Sequence, residues 1–160
     1  MRLLLPFLLL TSPAPTAEFA QIPSAPQATA GPSVEVAREA ATAAVTACSQ
    51  LGYRIMATVV DADGRPVSAM AAGPDVTAAL APDSVRSAQD AAYFRNASSL
   101  VVKQLMEEPT VSYAMRAHPQ LAPPTPGGWP LAVGAIGVAG APDGDTDEQC
   151  ARAGAADVEQ

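Results

Sequence analysis

The segment Arg54-Ile-Met-Ala-Thr-Val-Val60, followed by Asp61-Ala-Asp-Gly-Arg65 and Pro66-Val-Ser-Ala-Met-Ala71, decides the fold. The β-branched residues of the first part predict a strand, and the last part predicts a second strand. The five residues between them have turn chemistry, because Gly64 can adopt a positive φ. Two strands joined by a tight turn form a hairpin, so we expect an antiparallel sheet.

The residues before this hairpin predict an amphipathic helix. Ser33 is a favourable N-cap, and Gly52 suits the C-terminal end of a helix. Between them, small and apolar residues recur at steps of three and four, which is typical of one buried helical face. These residues are Val34, Ala37, Ala41, Ala44, Val45, Cys48 and Leu51.

The residues after the hairpin predict further helices. One is expected to start near Pro82, a favoured first-turn residue, and to end near Phe94. A second is expected to be capped by Ser98 or Ser99 and to run to Met106. A short helix over 111–117 and a Pro-rich loop over 118–128 follow.

The C-terminal third of the chain predicts one strand and one helix. Leu131 to Ala139 is an apolar run with unusual glycines, which we interpret as a strand. The acidic stretch 143–148 begins the last helix, because carboxylates suit the positive end of a helix dipole. Helix, hairpin, helices, strand and helix in this order predict an α+β fold with an antiparallel sheet.

Six motifs then occur in a fixed order along the chain. They are Cys48-Ser-Gln-Leu-Gly-Tyr53, Val59-Val-Asp-Ala-Asp-Gly64, Asp83-Ser84, Gly127-Gly-Trp-Pro130, Gly134-Ala-Ile-Gly-Val-Ala-Gly140 and Asp145-Thr-Asp-Glu-Gln-Cys-Ala-Arg-Ala-Gly154. With this combination the chain resembles the GlcG/HbpS family over residues 34–157. The resemblance implies a profilin-like antiparallel sheet with helices on both faces and adjacent N- and C-terminal helices. It also implies haem or a related tetrapyrrole as cofactor and partner, and assembly into homo-oligomers.

The chain departs from the family pattern at two places that bear on the fold and the site. Only Leu131-Ala-Val133 separates Pro130 from Gly134, where relatives carry the residues of a hairpin. We therefore expect four strands, or five with a frayed edge. The helix after Ser84 carries Ser87-Ala-Gln-Asp90 where the family usually has a Lys, and this loss weakens anion binding there.

Composition excludes several classes of function. Nine basic and sixteen acidic residues give a net charge of -7, which argues against nucleic-acid binding and against adhesion to anionic membranes. Two Cys and one His are too few for the usual zinc site. No Ser-His-Asp or Cys-His set is visible, which disfavours a nucleophilic hydrolase.

The first twenty residues predict a signal peptide. Met1-Arg2 is a positive start, and the apolar run Leu3–Leu10 is far shorter than the roughly twenty residues that cross a bilayer. The alternative is an unstructured apolar tail. A Pro- and Ala-rich linker over 21–32 and one domain over 33–157 follow. We expect a periplasmic or secreted protein that does not associate with the membrane once the signal is removed.

An even number of cysteines, here two, in an exported chain is typical of a disulfide. Cys48 lies on the buried face of the first predicted helix, and Cys150 lies in the last. The profilin-like layout implied by the resemblance can place these helices side by side, which makes a Cys48–Cys150 bridge plausible. The alternative is two buried thiols.

Three glycines with a spacing of three are candidates for cofactor binding. Strand alternation places Gly134 and Gly140 on one face and Gly137 on the other. A strand glycine lets another group approach the backbone closely, either a flat ligand such as porphyrin or a packed helix. We favour helix packing for Gly137 and leave both interpretations open for the other two.

The remaining candidates are polar side chains. His118 is the only histidine, and imidazole is the usual axial ligand of haem iron, although an exposed loop histidine is the common alternative. Ser84 and Arg86 lie on the predicted helix that carries the Asp83-Ser84 motif near its start, which we call the Asp-Ser helix. A guanidinium on this helix suits a haem propionate. Arg95 and Arg116 are further candidates of the same kind, although a solvated surface is the more common place for all three arginines.

An acidic stretch at the last helix resembles the start of a calcium loop. Asp143, Asp145 and Asp147 have the alternate spacing, but Glu148 replaces the glycine at the sixth position and Gly154 replaces the glutamate at the twelfth. Helix capping is the better interpretation.

Our leading hypothesis is an exported, non-enzymatic haem- or tetrapyrrole-binding protein that acts as a carrier or as the accessory of a sensor. Its pocket would combine the glycine strand with the Asp-Ser helix. One alternative is a haem-degrading or redox enzyme, which needs an open iron coordination site and a reductant. The other is a structural or interaction module without a cofactor.

Overall fold

The computed structural model describes residues 30–110, 113 and 125–159. Within these ranges the helices are α1 (Val34–Gln50), α2 (Thr77–Phe94), α3 (Ser98–Glu107) and α4 (Gly144–Val158), and the strands are β1 (Met56–Val60), β2 (Pro66–Ala71), β3 (Gly128–Pro130) and β4 (Ala135–Ala139). The strands form one antiparallel sheet in the order β2-β1-β4-β3. This confirms the predicted α+β class. The predicted helix over 111–117 and the predicted signal peptide fall outside the described residues, apart from Tyr113.

Helix α1 forms as its sequence predicts. The Ser33 hydroxyl accepts a hydrogen bond from the Val36 N–H at 3.2 Å, and Gly52 after the helix has a φ of 85°. The buried face consists of Ala37, Ala40, Ala41, Ala44 and Cys48. Val34 and Leu51, which were expected on this face, are exposed because they lie at the two ends of the helix.

The predicted hairpin of β1 and β2 is confirmed, with β1 starting two residues later than predicted. The Asp61 carboxylate organises its turn by accepting hydrogen bonds from the N–H groups of Asp63 and Arg65, at 2.9 and 2.8 Å. All five residues of β1 are buried, because this strand lies between β2 and β4 and is covered on both faces. Strand β1 is therefore central in the sheet, whereas β2 lies at one edge.

The strand predicted over 131–139 proves to be a turn followed by β4. The N–H of Leu131 donates to the carbonyl of Gly134 at 3.0 Å, which closes a tight turn between β3 and β4. Gly134 and Gly140 flank β4, with φ of 84° and 126°, so strand alternation does not apply to them. Strand β3 has only three residues, as the shortened Pro130–Gly134 segment implied.

The sheet is covered by helices on both faces. Helices α1 and α4 pack on the face that presents Ala57, Val59, Ile136 and Val138, and α2 packs on the other face, against Val60 and Ala135. Cys48 of α1 and Cys150 of α4 form a disulfide with both residues buried. The predicted adjacency of the first and last helices and their covalent link are thus confirmed.

Helix α2 begins at Thr77, five residues before the predicted start at Pro82. Proline in a helix interior removes one backbone hydrogen bond and is usually a start or a stop. Here the preceding residues include Ala and Leu, which are strong helix formers, and the Leu80 N–H bonds to the Val76 carbonyl at 3.3 Å. The first turn therefore forms upstream of Pro82.

Helix α3 obtains its N-terminal cap from another helix. Its N-cap residue is Ala97, which has no side chain to serve as a cap, so the predicted capping by Ser98 or Ser99 is wrong. Instead, the Ser99 N–H and hydroxyl donate to the carboxylate of Glu148 in α4 at 2.7 and 2.6 Å. The Ser98 hydroxyl accepts from the Gly128 N–H at 2.8 Å, which joins β3 to the same group.

None of the described helices is long and apolar enough to cross a membrane.

Candidate functional site

Helix α2 lies unusually close to the sheet because glycines face it. A Cβ at Gly137 would overlap the Ser84 carbonyl oxygen and the Ala88 nitrogen, and one at Gly128 would overlap the Ser87 carbonyl oxygen. The glycine at 137 therefore serves helix packing, as predicted. The surface that α2 covers offers no room for a flat ligand at this point.

The Ser84 hydroxyl forms hydrogen bonds within the domain core. It lies 2.8 Å from the Thr58 hydroxyl of β1 and also donates to the Ala81 carbonyl at 3.1 Å. Ser84 and Thr58 are both fully buried. The contact between these two hydroxyls holds α2, the predicted Asp-Ser helix, against the sheet next to Gly137.

One cavity opens at the Gly140 end of β4, and we call it the acidic groove. It measures about 540 Å³ and is lined by Ser87, Gly140 and three carboxylates, those of Asp83, Asp143 and Asp147. Asp143 caps α4 by accepting from the Thr146 N–H and hydroxyl at 2.8 and 2.9 Å, which confirms capping over calcium binding. These two hydrogen bonds also hold the pKa of Asp143 below its usual value.

Asp147 forms the floor of the acidic groove. It is 7% exposed, and its carboxylate accepts from the Ala141 N–H at 2.9 Å. Burial raises its pKa above the ordinary value, in spite of the lowering effect of the Ala141 and Gly140 N–H groups. The groove thus has acidic walls and a carboxyl group that is reluctant to ionise.

A second cavity opens at the opposite, Gly134 end of β4, and we call it the arginine groove. It measures about 500 Å³, within the usual range of small-molecule sites. Its lining is apolar or glycine except for one cation, Arg95 at the end of α2. The other lining residues are Ala30, Ala62, Ala92 and the segment Pro130–Gly134.

The predicted site residues are therefore spread over the sheet. Gly140 lines the acidic groove, Gly134 lines the arginine groove, and Ser84 lies buried between them. Arg86 lies exposed on α2 and lines neither groove. His118 and Arg116 fall outside the described residues. Within the described ranges no group of three acidic, Cys or His side chains is arranged to hold a metal ion.

Sequence reasoning named Arg95 as a propionate partner but could not place it in a cavity. The cavity is built from four separate segments, the chain before α1, the hairpin turn, the end of α2 and the β3–β4 turn. The local signal was an arginine at the end of a helix, where glycine or asparagine is common.

Asp90 on α2 is the carboxylate of the run 87–90, which lacks the lysine usual in the family, and the structure gives it a specific environment. Its Oδ2 atom is buried without a hydrogen-bond partner among the described residues. Burial raises the pKa of this carboxyl, while the Arg86 guanidinium one turn away opposes the rise. The ionised form of Asp90 is therefore a local source of instability.

Replacing Asp90 by asparagine is expected to stabilise the domain at pH 7 and to change little in acid. The folded domain holds the Asp90 proton more tightly than the unfolded chain, so this carboxyl favours folding below its ordinary pKa of 3.8. That contribution is lost as the pH rises through the raised value. Urea unfolding of wild type and Asp90→Asn at pH 7 and at about pH 3 measures the difference.

Asp83→Asn, an exposed change on the same helix, is the matched control for this experiment. We expect it to lack the stabilisation at pH 7. Equal stability of the wild type and Asp90→Asn at both pH values would contradict the environment described for Asp90.

Comparison with known proteins agrees with this architecture. A family model described as "Haem degrading protein HbpS-like" matches residues 33–156. A double mutant of HbpS from Streptomyces reticuli is 32% identical, with a TM-score of 0.67 over 90% of this chain and 97% of that one. The Klebsiella pneumoniae protein ORFY has a TM-score of 0.68 at 15% identity, over 88% and 98% of the two chains.

A third similar structure is that of PduOC in complex with haem. It has a TM-score of 0.65 at 18% identity, over 79% of this chain and 94% of that one. At these low identities ORFY and PduOC show the shared fold alone. No curated protein matches the chain.

Proposed function

Because the chain belongs to the HbpS-like family, whose model matches residues 33–156, we propose that it binds haem or a related tetrapyrrole. In this proposal it is an exported carrier, or the accessory of a sensor, without enzymatic activity of its own, and it assembles into homo-oligomers. The family match is the observation that carries the proposal. The haem complex of the structural neighbour PduOC is consistent with it.

The charge distribution favours one end of β4 for the ligand. Haem carries two propionates on an apolar ring. The acidic groove carries carboxylates, above all the readily ionised Asp143, that would repel them. The arginine groove instead combines small or apolar side chains with a cation. His118 is the proposed axial ligand, since imidazole is the commonest donor to haem iron.

Export is supported by the disulfide. Structural disulfides persist in oxidising compartments and are rare in the cytosol. The bond between Cys48 and Cys150 lies in the core, between the helices that close the domain. A periplasmic or secreted location is therefore part of the proposal.

Haemin titration tests the proposal directly. We expect a Soret band to appear on adding haemin to the purified protein at micromolar concentration. The band should weaken in His118→Ala if this imidazole binds the iron, and in Arg86→Ala if that guanidinium contacts a propionate. Arg38→Gln, an exposed change on α1, is the charge-matched control. Absence of any spectral change in the wild type would contradict haem binding.

A second candidate function is haem degradation, which the description of the family favours. A degrading enzyme would need an open coordination site on the iron and a reductant. Incubating the haemin-loaded protein with ascorbate separates the two functions. A carrier keeps its Soret band, whereas an enzyme loses the band and releases iron.

A further inference from the structure

Helix α2 ends at an arginine in an unfavourable backbone conformation. Arg95 has φ of 51° and ψ of 40°, and it is the only non-glycine residue with a positive φ within the described ranges. The left-handed conformation costs a residue with a Cβ about 1–2 kcal/mol, and glycine commonly occupies this position. Arg95 is therefore held in a conformation that a glycine would adopt without strain.

The guanidinium of Arg95 has no carboxylate partner among the described residues. By contrast, Arg54 pairs with Asp75, Arg65 pairs with Asp63, and Arg86 interacts with Asp90. None of the residues that line the arginine groove is acidic. Arg95 is thus an exposed cation beside a cavity whose other lining side chains are small or apolar. This arrangement can recognise the carboxylate edge of a largely apolar ligand.

We propose that the arginine groove holds one edge of the tetrapyrrole, with a propionate bound by Arg95 and the adjoining ring edge packed on the Leu131–Gly134 turn. This inference rests on the proposed function. It locates the tetrapyrrole in the arginine groove and makes Arg95 the residue that recognises it. Arg95 contacts the ligand in this arrangement. The positive φ of Gly134 shapes the wall of the groove, which gives that predicted residue an indirect role.

The experiment compares haemin with haemin dimethyl ester, whose two carboxylates are blocked, on wild type and Arg95→Gly. Glycine relieves the backbone strain, so Arg95→Gly should unfold at the same temperature as wild type or higher. It should nevertheless bind haemin roughly tenfold more weakly, which is the usual size of a lost hydrogen bond between charged groups. Both proteins should bind the ester with equal affinity.

Two further variants complete the test. Arg95→Lys keeps the charge and should recover part of the haemin affinity, whereas Arg38→Gln on α1 should bind haemin like wild type. If wild type binds haemin and Arg95→Gly binds it equally well, the groove assignment is overturned while the proposed function stands. If wild type binds no haemin, the proposed function fails and the assignment fails with it.

Discussion

Removing both cysteines should lower the stability of the domain by about 4–5 kcal/mol in the chain-entropy description of a disulfide. The bond between Cys48 and Cys150 spans 102 residues, so it restricts most of the unfolded chain. Since domains are usually stable by only about 5–15 kcal/mol, the double variant Cys48→Ala/Cys150→Ala is expected to lose a large part of its stability. We expect its unfolding temperature to fall by about 10 °C or more.

Thermal and urea unfolding of the oxidised wild type and the double variant measure this loss. The wild type, unfolded and refolded with a thiol reductant, should approach the stability of the variant, and the variant itself should not respond to the reductant. The single variant Cys48→Ala should be destabilised to a similar extent, because either change removes the bond. Equal unfolding midpoints for oxidised wild type and double variant would contradict the prediction.

Changing Gly137 to alanine should be nearly as damaging, although it adds a single carbon atom. The new Cβ would overlap the Ser84 carbonyl oxygen and the Ala88 nitrogen. These are backbone atoms of α2, so they can move only if the helix moves. Outward movement of α2 would also break the buried hydrogen bond between Thr58 and Ser84. We expect a loss of about 3 kcal/mol or more, at the upper end of overpacking effects.

Gly52→Ala is the matched control for Gly137→Ala. Gly52 has a φ of 85°, and a Cβ there would meet nothing within 4 Å. Only backbone strain of about 1 kcal/mol should result. Urea unfolding of the two variants therefore separates overlap from strain. If Gly137→Ala is as stable as Gly52→Ala, helix α2 does not lie as close to β4 as described.

Local sequence signals were sufficient where the cause of the structure is local. Ser33 and Gly52 mark the ends of α1, and the turn at Asp61 to Gly64 marks the hairpin, because each forms its own hydrogen bonds or backbone conformation. The start of α2 was placed five residues too late because Pro82 is a favoured first-turn residue, whereas here helix formers before it extend the helix upstream. The position of β3 could not be read from a local pattern, because Gly-Trp-Pro carries none and is ordered by pairing with β4. Only the resemblance implied a shortened strand in this part of the chain.

The candidate site was less predictable because it is assembled from distant segments. Gly134 and Gly140 were found through their spacing, but the structure places them at opposite ends of β4 and in cavities of opposite chemical character. No local pattern reveals that Arg95 lines a cavity, since most of the other lining residues come from other segments of the chain. The disulfide was predictable because the resemblance placed the first and last helices together.

The capping of α3 by Glu148 has a consequence for the order in which the domain folds. A helix of ten residues is marginal by itself in water. The Ser99 N–H in its first turn donates to a carboxylate 49 positions further along the chain. Closing that long loop carries an entropic cost before the contact forms. Helix α3 should therefore become ordered only when α4 docks. A destabilising substitution in α4 should first lower the hydrogen-exchange protection of the Ser99 amide.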